Sequence, residues 1–168
     1  MAGTVVFDLD GTLADTSGDL IAAANACFAA RGLGALLDPV ADALIAFHGG
    51  RAMLRAGYGR LPGDRLLPPG AEDEDYPRLL AHYGEAIAIH TRLYPGAEAA
   101  LDRLAEAGHR LAVCTNKPEA LAETLLRELG IRDRFAAMIG ADTLPVRKPD
   151  PRPYAAAVEA AGGMVAQS

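Results

Sequence analysis

The chain has 168 residues, enough for one ordinary domain or for a modest core carrying an insertion. Its net charge of −6, with no long basic run, argues against nucleic acid and anionic membrane as main partners. No apolar run approaches the ~18 residues of a membrane span. Cys27 and Cys114 lie far apart in apolar segments, with neither disulfide nor metal spacing. The first strand follows Met1-Ala-Gly directly, which leaves no room there for a signal peptide. Together these features predict a cytoplasmic protein.

In chain order, Val5-Val6-Phe7 reads as a buried strand, β-branched and aromatic, ending in Asp8 and Asp10. Two residues apart on an extended backbone, both carboxylates point to the same side. Like charges so close repel unless a cation or a shared proton intervenes. Gly11 permits a hairpin turn after Asp10, but the residues beyond it look like a helix entry rather than a partner strand. Ser17 or Asp19 is predicted to cap a helix over Leu20–Arg31, closed by Gly32 and Gly34. Asp38-Pro39 opens a short helix to about Phe47, and His48-Gly49-Gly50 breaks it. Arg51–Ala56 continues as another short helix. Arg60 to Asp75 reads as a Pro-, Gly- and acid-rich loop, with Glu72–Asp75 solvated ahead of a helix. That helix starts at Asp75-Tyr-Pro, and its apolar stripe is Leu79, Leu80, Tyr83 and Ile87. Residues 15–89 therefore hold no strand-like run.

From Thr91 the character changes. Helix 97–107, strand 110–115, helix 116–129, strand 136–140 and helix 153–161 alternate, which predicts βαβ units and a parallel sheet. The fold class is α/β: a Rossmann-like core from residues 1–14 and 90–168, with an inserted all-helical cap at 15–89.

Parallel sheets place ligands at the carboxyl ends of their strands. Three loaded stretches fall at those ends: Asp8 and Asp10, then Thr115-Asn116-Lys117 before a helix N-terminus, then Lys148 beyond the third strand. Each suits a phosphate. Helix N-terminal N–H groups and the Thr115 hydroxyl can donate, and Lys148 adds charge. Two carboxylates attract Mg²⁺, a hard cation that bridges acids to phosphate. One aspartate can attack phosphorus while the other exchanges protons. In the insertion, Arg51 after Gly49-Gly50 could hold a substrate carboxylate, or could be a solvated arginine at a helix break. Lys117 could be a substrate contact or surface charge.

These residues carry a family resemblance. Phe7-Asp8-Leu9-Asp10-Gly11-Thr12-Leu13 is similar to the first signature of the haloacid dehalogenase-like hydrolases, Thr115 resembles the second and Lys148 the third. Cys114-Thr-Asn-Lys-Pro118 and Gly140-Ala-Asp-Thr-Leu-Pro-Val-Arg-Lys-Pro-Asp-Pro-Arg-Pro153 look like its phosphoglycolate phosphatase branch.

The resemblance implies a Mg²⁺-dependent phosphatase acting on a small phosphorylated metabolite, 2-phosphoglycolate in that branch. Asp8 would be nucleophile and metal ligand. Asp10 would be the general acid/base and bind the metal through its carbonyl. Thr115 and the Asn116 N–H would hold phosphoryl oxygens, and Lys148 would neutralise the charge. A fourth, acidic signature would supply a third metal carboxylate. No Gly-Asp-x-x-x-Asp occurs after residue 153; Gly18-Asp19 and Gly63-Asp64 lie in the inserted segment. The expectation is a core without its last strands, weak in Mg²⁺ binding. A sugar-phosphate mutase or phosphotransferase on the same core, and a non-catalytic remnant, remain as alternatives.

Overall fold

The computed structural model describes residues 3–63 and 67–168. Asp64, and with it the Gly63-Asp64 pair, lies outside the described residues, as does part of the 60–75 stretch. The chain divides into two compact units, 1–15 with 92–168, and 16–91.

In the first unit, β1 (Thr4–Phe7), β4 (Arg110–Cys114) and β5 (Ala137–Ile139) form a parallel sheet in the order β1-β4-β5. Thr4 faces Arg110 and Phe7 faces Val113 across the first pair; Cys114 faces Ile139 across the second. Crossover helices α5 (Ala97–Glu106) and α6 (Glu119–Glu128) make the sheet parallel, and α7 (Arg152–Ala160) follows β5. Ala112, Cys114, Ala137 and Ile139 pack against Ala157 and Ala161 in one apolar layer. Small residues on both sides let α7 sit close to the sheet. The central strand β4 is buried over Leu111–Cys114, as a run flanked by strands on both edges must be. β1 differs from expectation: Val5, Val6 and Phe7 are only half-buried, because β1 is paired along one edge among the described residues.

A second, two-stranded antiparallel sheet was not legible in the sequence. It pairs β2 (Ala14–Asp15) with β3 (Arg92–Leu93), Ala14 opposite Leu93. Two-residue strands carry no periodicity to read, and their pairing spans a separation of nearly 80 residues.

The second unit is helical: α1 (Ser17–Ala30), α2 (Ala43–Ala46), α3 (Gly50–Tyr58) and α4 (Ala71–Glu85). Phe28, Met53, Leu54, Leu79 and Tyr83 are fully buried within it. Three boundaries depart from the sequence reading. α1 starts at Ser17, and Asp19 does not cap it. Its buried carboxylate instead accepts the backbone N–H groups of His90 (2.9 Å) and Thr91 (2.8 Å) and the Thr91 hydroxyl (2.7 Å). Asp38 does act as a turn acceptor, for Val40 and Ala41 N–H, but the helix it announces is only the single turn Ala43–Ala46.

α4 begins at Ala71, four residues before Asp75, and carries Pro77 in its second turn. As the seventh helical residue, Pro77 has no N–H to give the Asp73 carbonyl, so α4 forgoes one internal hydrogen bond there. The earlier start changes the environment of the acidic run. Glu72, Asp73 and Glu74 sit in the first turn, but Asp75 is fully buried rather than solvated. It takes two bonds from Arg31 (Nε at 2.5 Å, Nη2 at 3.0 Å), one from the Tyr58 hydroxyl and one from Arg78 (3.0 Å). Cys27, beside this cluster, is buried and reduced, and burial pushes its thiol up to about 11. No helix among the described residues is long and apolar enough to cross a membrane.

Candidate active site

β1 ends at Phe7, and the chain then turns tightly. The Leu9 carbonyl accepts the N–H groups of Thr12 (3.3 Å), Leu13 (3.0 Å) and Ala14 (3.2 Å), while Gly11, at φ 73°, permits the reversal. Leu9 and Leu13 anchor the turn in the core. This leaves Asp8 and Asp10 at the strand's carboxyl end. Asp8 Oδ1 accepts the Leu9 N–H at 2.8 Å, and Oδ2 lies 3.0 Å from Lys148 Nζ. Lys148 also donates to the Cys114 carbonyl at 2.8 Å, so it bridges the ends of β1 and β4. Lys148, expected at this site, thus stands beside the Asp8 carboxylate.

β4 delivers Thr115, whose N–H pairs with the Ile139 carbonyl at 2.9 Å. The Thr115 hydroxyl oxygen accepts the Lys117 N–H at 3.1 Å, which leaves its proton available to a ligand oxygen. Thr115–Lys117 precede α6 but do not cap it. The helix starts at Glu119, and its first N–H is taken by Asp142 Oδ1 at 2.7 Å. The donor open to an anion is therefore in the loop: the Asn116 N–H has no acceptor among the described residues. The Asn116 side chain does a different job, donating to the Lys148 carbonyl at 3.1 Å.

Lys117 is neither solvated nor directed outward. It is buried, and its Nζ lies 3.0 Å from Asp10 Oδ1. Burial pushes its ammonium below the ordinary lysine range, and Asp10 beside it opposes that. The site thus holds two aspartates and two lysines, matched in pairs.

Sequence reasoning missed the residues that hold these loops in register. Asp142 caps α6, and Thr143 Oγ1 accepts the Gly140 N–H (2.8 Å) and donates to Glu119 (2.5 Å). The partners lie more than 20 residues apart, so no local pattern could reveal them. Gly140 shows how tight this junction is. A Cβ there would sit 2.5 Å from the Glu119 Cα and 2.6 Å from its N. Backbone atoms cannot yield cheaply, so Gly140→Ala should cost about 1–3 kcal/mol and displace the start of α6. A fall in thermal midpoint together with weaker phosphate binding would show both effects; an unchanged melting curve would refute the close packing.

Arg51 is engaged within its own unit. Its guanidinium meets Asp73 at 2.5 Å and stacks over Tyr76 at 4.6 Å from the ring centroid. A substrate carboxylate at Arg51 would have to share it with Asp73.

The described residues contain no group of three or more His, Cys, Asp or Glu side chains placed to hold a metal. The donors that are present, the Asp8 carboxylate and the Asp10 carbonyl, are hard oxygens of the kind Mg²⁺ takes. They fit a Mg²⁺ held jointly with a substrate phosphate, the usual arrangement for that ion, and not a closed protein cage.

A parallel α/β core with an acid pair, a hydroxyl and a lysine at its strand ends carries the groups that a phosphoryl-transfer hydrolase uses. A family model for the haloacid dehalogenase-like hydrolases matches residues 2–166. A phosphoglycolate phosphatase of Agrobacterium fabrum is 40% identical over 163 residues, covering 97% of this chain and 69% of its own. One from Cereibacter sphaeroides is 42% identical, covering 93% and 70%. Among solved structures, one described as a predicted phosphoglycolate phosphatase from Haemophilus somnus superposes with a TM-score of 0.79 at 27% identity, over 91% of this chain and 68% of that one. CbbY from Rhodobacter sphaeroides, in complex with xylulose-1,5-bisphosphate, gives 0.73 at 25% identity, over 99% and 76%. The chain belongs to the haloacid dehalogenase-like hydrolase family. Within it, the relatives matched at 40% and 42% identity are named phosphoglycolate phosphatases.

Proposed function

We propose that this protein hydrolyses a small phosphomonoester, 2-phosphoglycolate, to glycolate and phosphate through an aspartyl-phosphate on Asp8. The observation that carries the reading is the convergence of Asp8, Asp10, Thr115 and Lys148 at the carboxyl ends of β1 and β4, with two ion pairs at 3.0 Å. The substrate comes from the relatives named phosphoglycolate phosphatase.

An Asp8 carboxylate oxygen attacks phosphorus as the ester P–O bond breaks. Asp10 gives its proton to the departing glycolate oxygen. Asp10 then takes a proton from water, whose oxygen attacks phosphorus and releases inorganic phosphate and free Asp8. Lys148 offsets the charge on Asp8 and on the phosphoryl oxygens. The Thr115 hydroxyl and the Asn116 N–H donate to those oxygens, with most of the rate enhancement coming from positioning and charge. Mg²⁺, when bound by the Asp8 carboxylate and the Asp10 carbonyl, supplies further positive charge at the phosphate.

Steady-state hydrolysis of 2-phosphoglycolate, against a panel of sugar and amino-acid phosphates, tests the reading. Release of phosphate with a clear preference for phosphoglycolate is expected. Isomerisation of a sugar phosphate without net phosphate release would point to a mutase instead. Calorimetry provides the metal arm: Mg²⁺ alone should bind weakly, and inorganic phosphate should tighten it. Tight Mg²⁺ binding without phosphate would contradict the two-donor site.

A further inference from the structure

Lys117 is the one residue at the site whose placement runs against its sequence reading. Lysine is almost never buried without a partner, because desolvating an ammonium is costly. Here the side chain is 4% exposed. Its backbone is clamped from both sides: its N–H donates to Thr115 Oγ1 at 3.1 Å, and its carbonyl accepts the Ala141 N–H at 2.9 Å. Those bonds tie it to the ends of β4 and β5. From that fixed base the ammonium reaches Asp10 Oδ1 at 3.0 Å. Lys148, in contrast, is 29% exposed and serves Asp8. The two lysines are thus divided between the two acids, one half-buried and one enclosed.

We propose that Lys117 is a positioning residue for Asp10: its buried ammonium holds Oδ1 and so orients the carboxylate for proton exchange with the leaving group and water, without touching the substrate. This rests on the phosphatase reading above. A carboxylate has two rotatable bonds between it and the backbone, and Asp10 lies in a turn beyond the end of β1. Fixing one oxygen by a buried charge-assisted bond removes that freedom before substrate arrives. A lysine reaching the substrate would need an exposed ammonium; this one is enclosed.

The test compares Lys117→Met and Lys117→Arg with the parent chain on two carboxylate-free esters, ethyl phosphate and p-nitrophenyl phosphate. An alkoxide leaving group needs a proton, whereas p-nitrophenolate leaves without one. General acid catalysis contributes about 10²–10⁴-fold. Lys117→Met should therefore lower kcat on ethyl phosphate by at least about tenfold, with KM nearly unchanged and p-nitrophenyl phosphate little affected. Lys117→Arg should restore part of the loss. Equal losses on both esters would mean a merely structural role, and a raised KM at constant kcat would mean substrate contact; either overturns the proposal.

A crystal structure of Lys117→Met gives a readout that needs no turnover: the Asp10 carboxylate should leave its present orientation, and its staying in place would overturn the proposal. If Lys117→Met does not fold, Lys117→Gln, which keeps a donor of shorter reach, takes its place in both measurements. If the parent chain hydrolyses neither these esters nor 2-phosphoglycolate, the phosphatase reading falls, and the Asp10 orientation alone decides the role of Lys117.

Discussion

Asp8→Asn should abolish phosphoenzyme formation and lower phosphoglycolate hydrolysis by at least ~10³-fold, the scale seen when a covalent nucleophile is removed. The amide is nearly isosteric, so the Leu9 N–H can still donate to its oxygen, as it does to Asp8 Oδ1 at 2.8 Å. What disappears is the negative charge and with it the attacking oxygen. Lys148, 3.0 Å from Oδ2 in the parent, then faces a neutral group and gains attraction for a phosphate instead. The variant should therefore bind inorganic phosphate at least as well as the parent while forming no acyl-phosphate. Rapid acid quench with labelled substrate distinguishes the two quantities. A labelled aspartyl-phosphate trapped in Asp8→Asn would remove Asp8 from the nucleophile's role.

Asp75→Ala should destabilise the helical unit by about 3–5 kcal/mol, the cost of breaking a buried ion pair from one side. Asp75 is fully buried, and Arg31, itself 17% exposed, loses its main partner. Asp73, on the same helix turn but 75% exposed and paired with Arg51, is the control. Its replacement by Ala should cost less than about 1 kcal/mol, as for other surface pairs. Urea unfolding with an unchanged slope would read both values; similar effects for the two acids would refute the buried clamp.

The same clamp predicts a pH dependence. Burial pushes the Asp75 carboxyl upward, but the bonds from Arg31, Tyr58 and Arg78 outweigh it and hold the group below its ordinary value. A depressed value in the folded state means that the unfolded chain binds the proton more readily. The contribution is therefore complete above the ordinary carboxylate range. It is lost as pH falls through the depressed value. Stability measured between neutral and acidic pH should fall more steeply in the parent than in Asp75→Asn.

What could be read from the sequence was whatever is local along the chain. The Val5–Phe7 run, the acids that follow it, and strand–helix alternation with Gly after each helix are all set by neighbouring residues. Strand ends in a parallel sheet gather on one side whatever the loops do, so Asp8, Asp10, Thr115 and Lys148 could be grouped before any coordinates. Thr115 and Lys148 stand at those strand ends, where a hydroxyl and an ammonium suit a phosphate.

Tertiary structure alone decided which charge meets which. In the sequence Lys117 reads as surface charge or a substrate contact, and Asp75 as a solvated acid in an acidic run. Lys117 is buried, and Ala141 after β5, more than 20 positions away, bonds its carbonyl at 2.9 Å. Asp75 is buried because α4 starts a turn early and rotates that position toward Arg31 and Tyr58 on other helices. Burial and pairing of this kind depend on packing between distant segments, where free energy is summed over many weak contacts and no short pattern records it. The acid pair could be found from the sequence by itself. That each acid has its own lysine, one half-buried and one enclosed, came only from the way the strands and their loops pack.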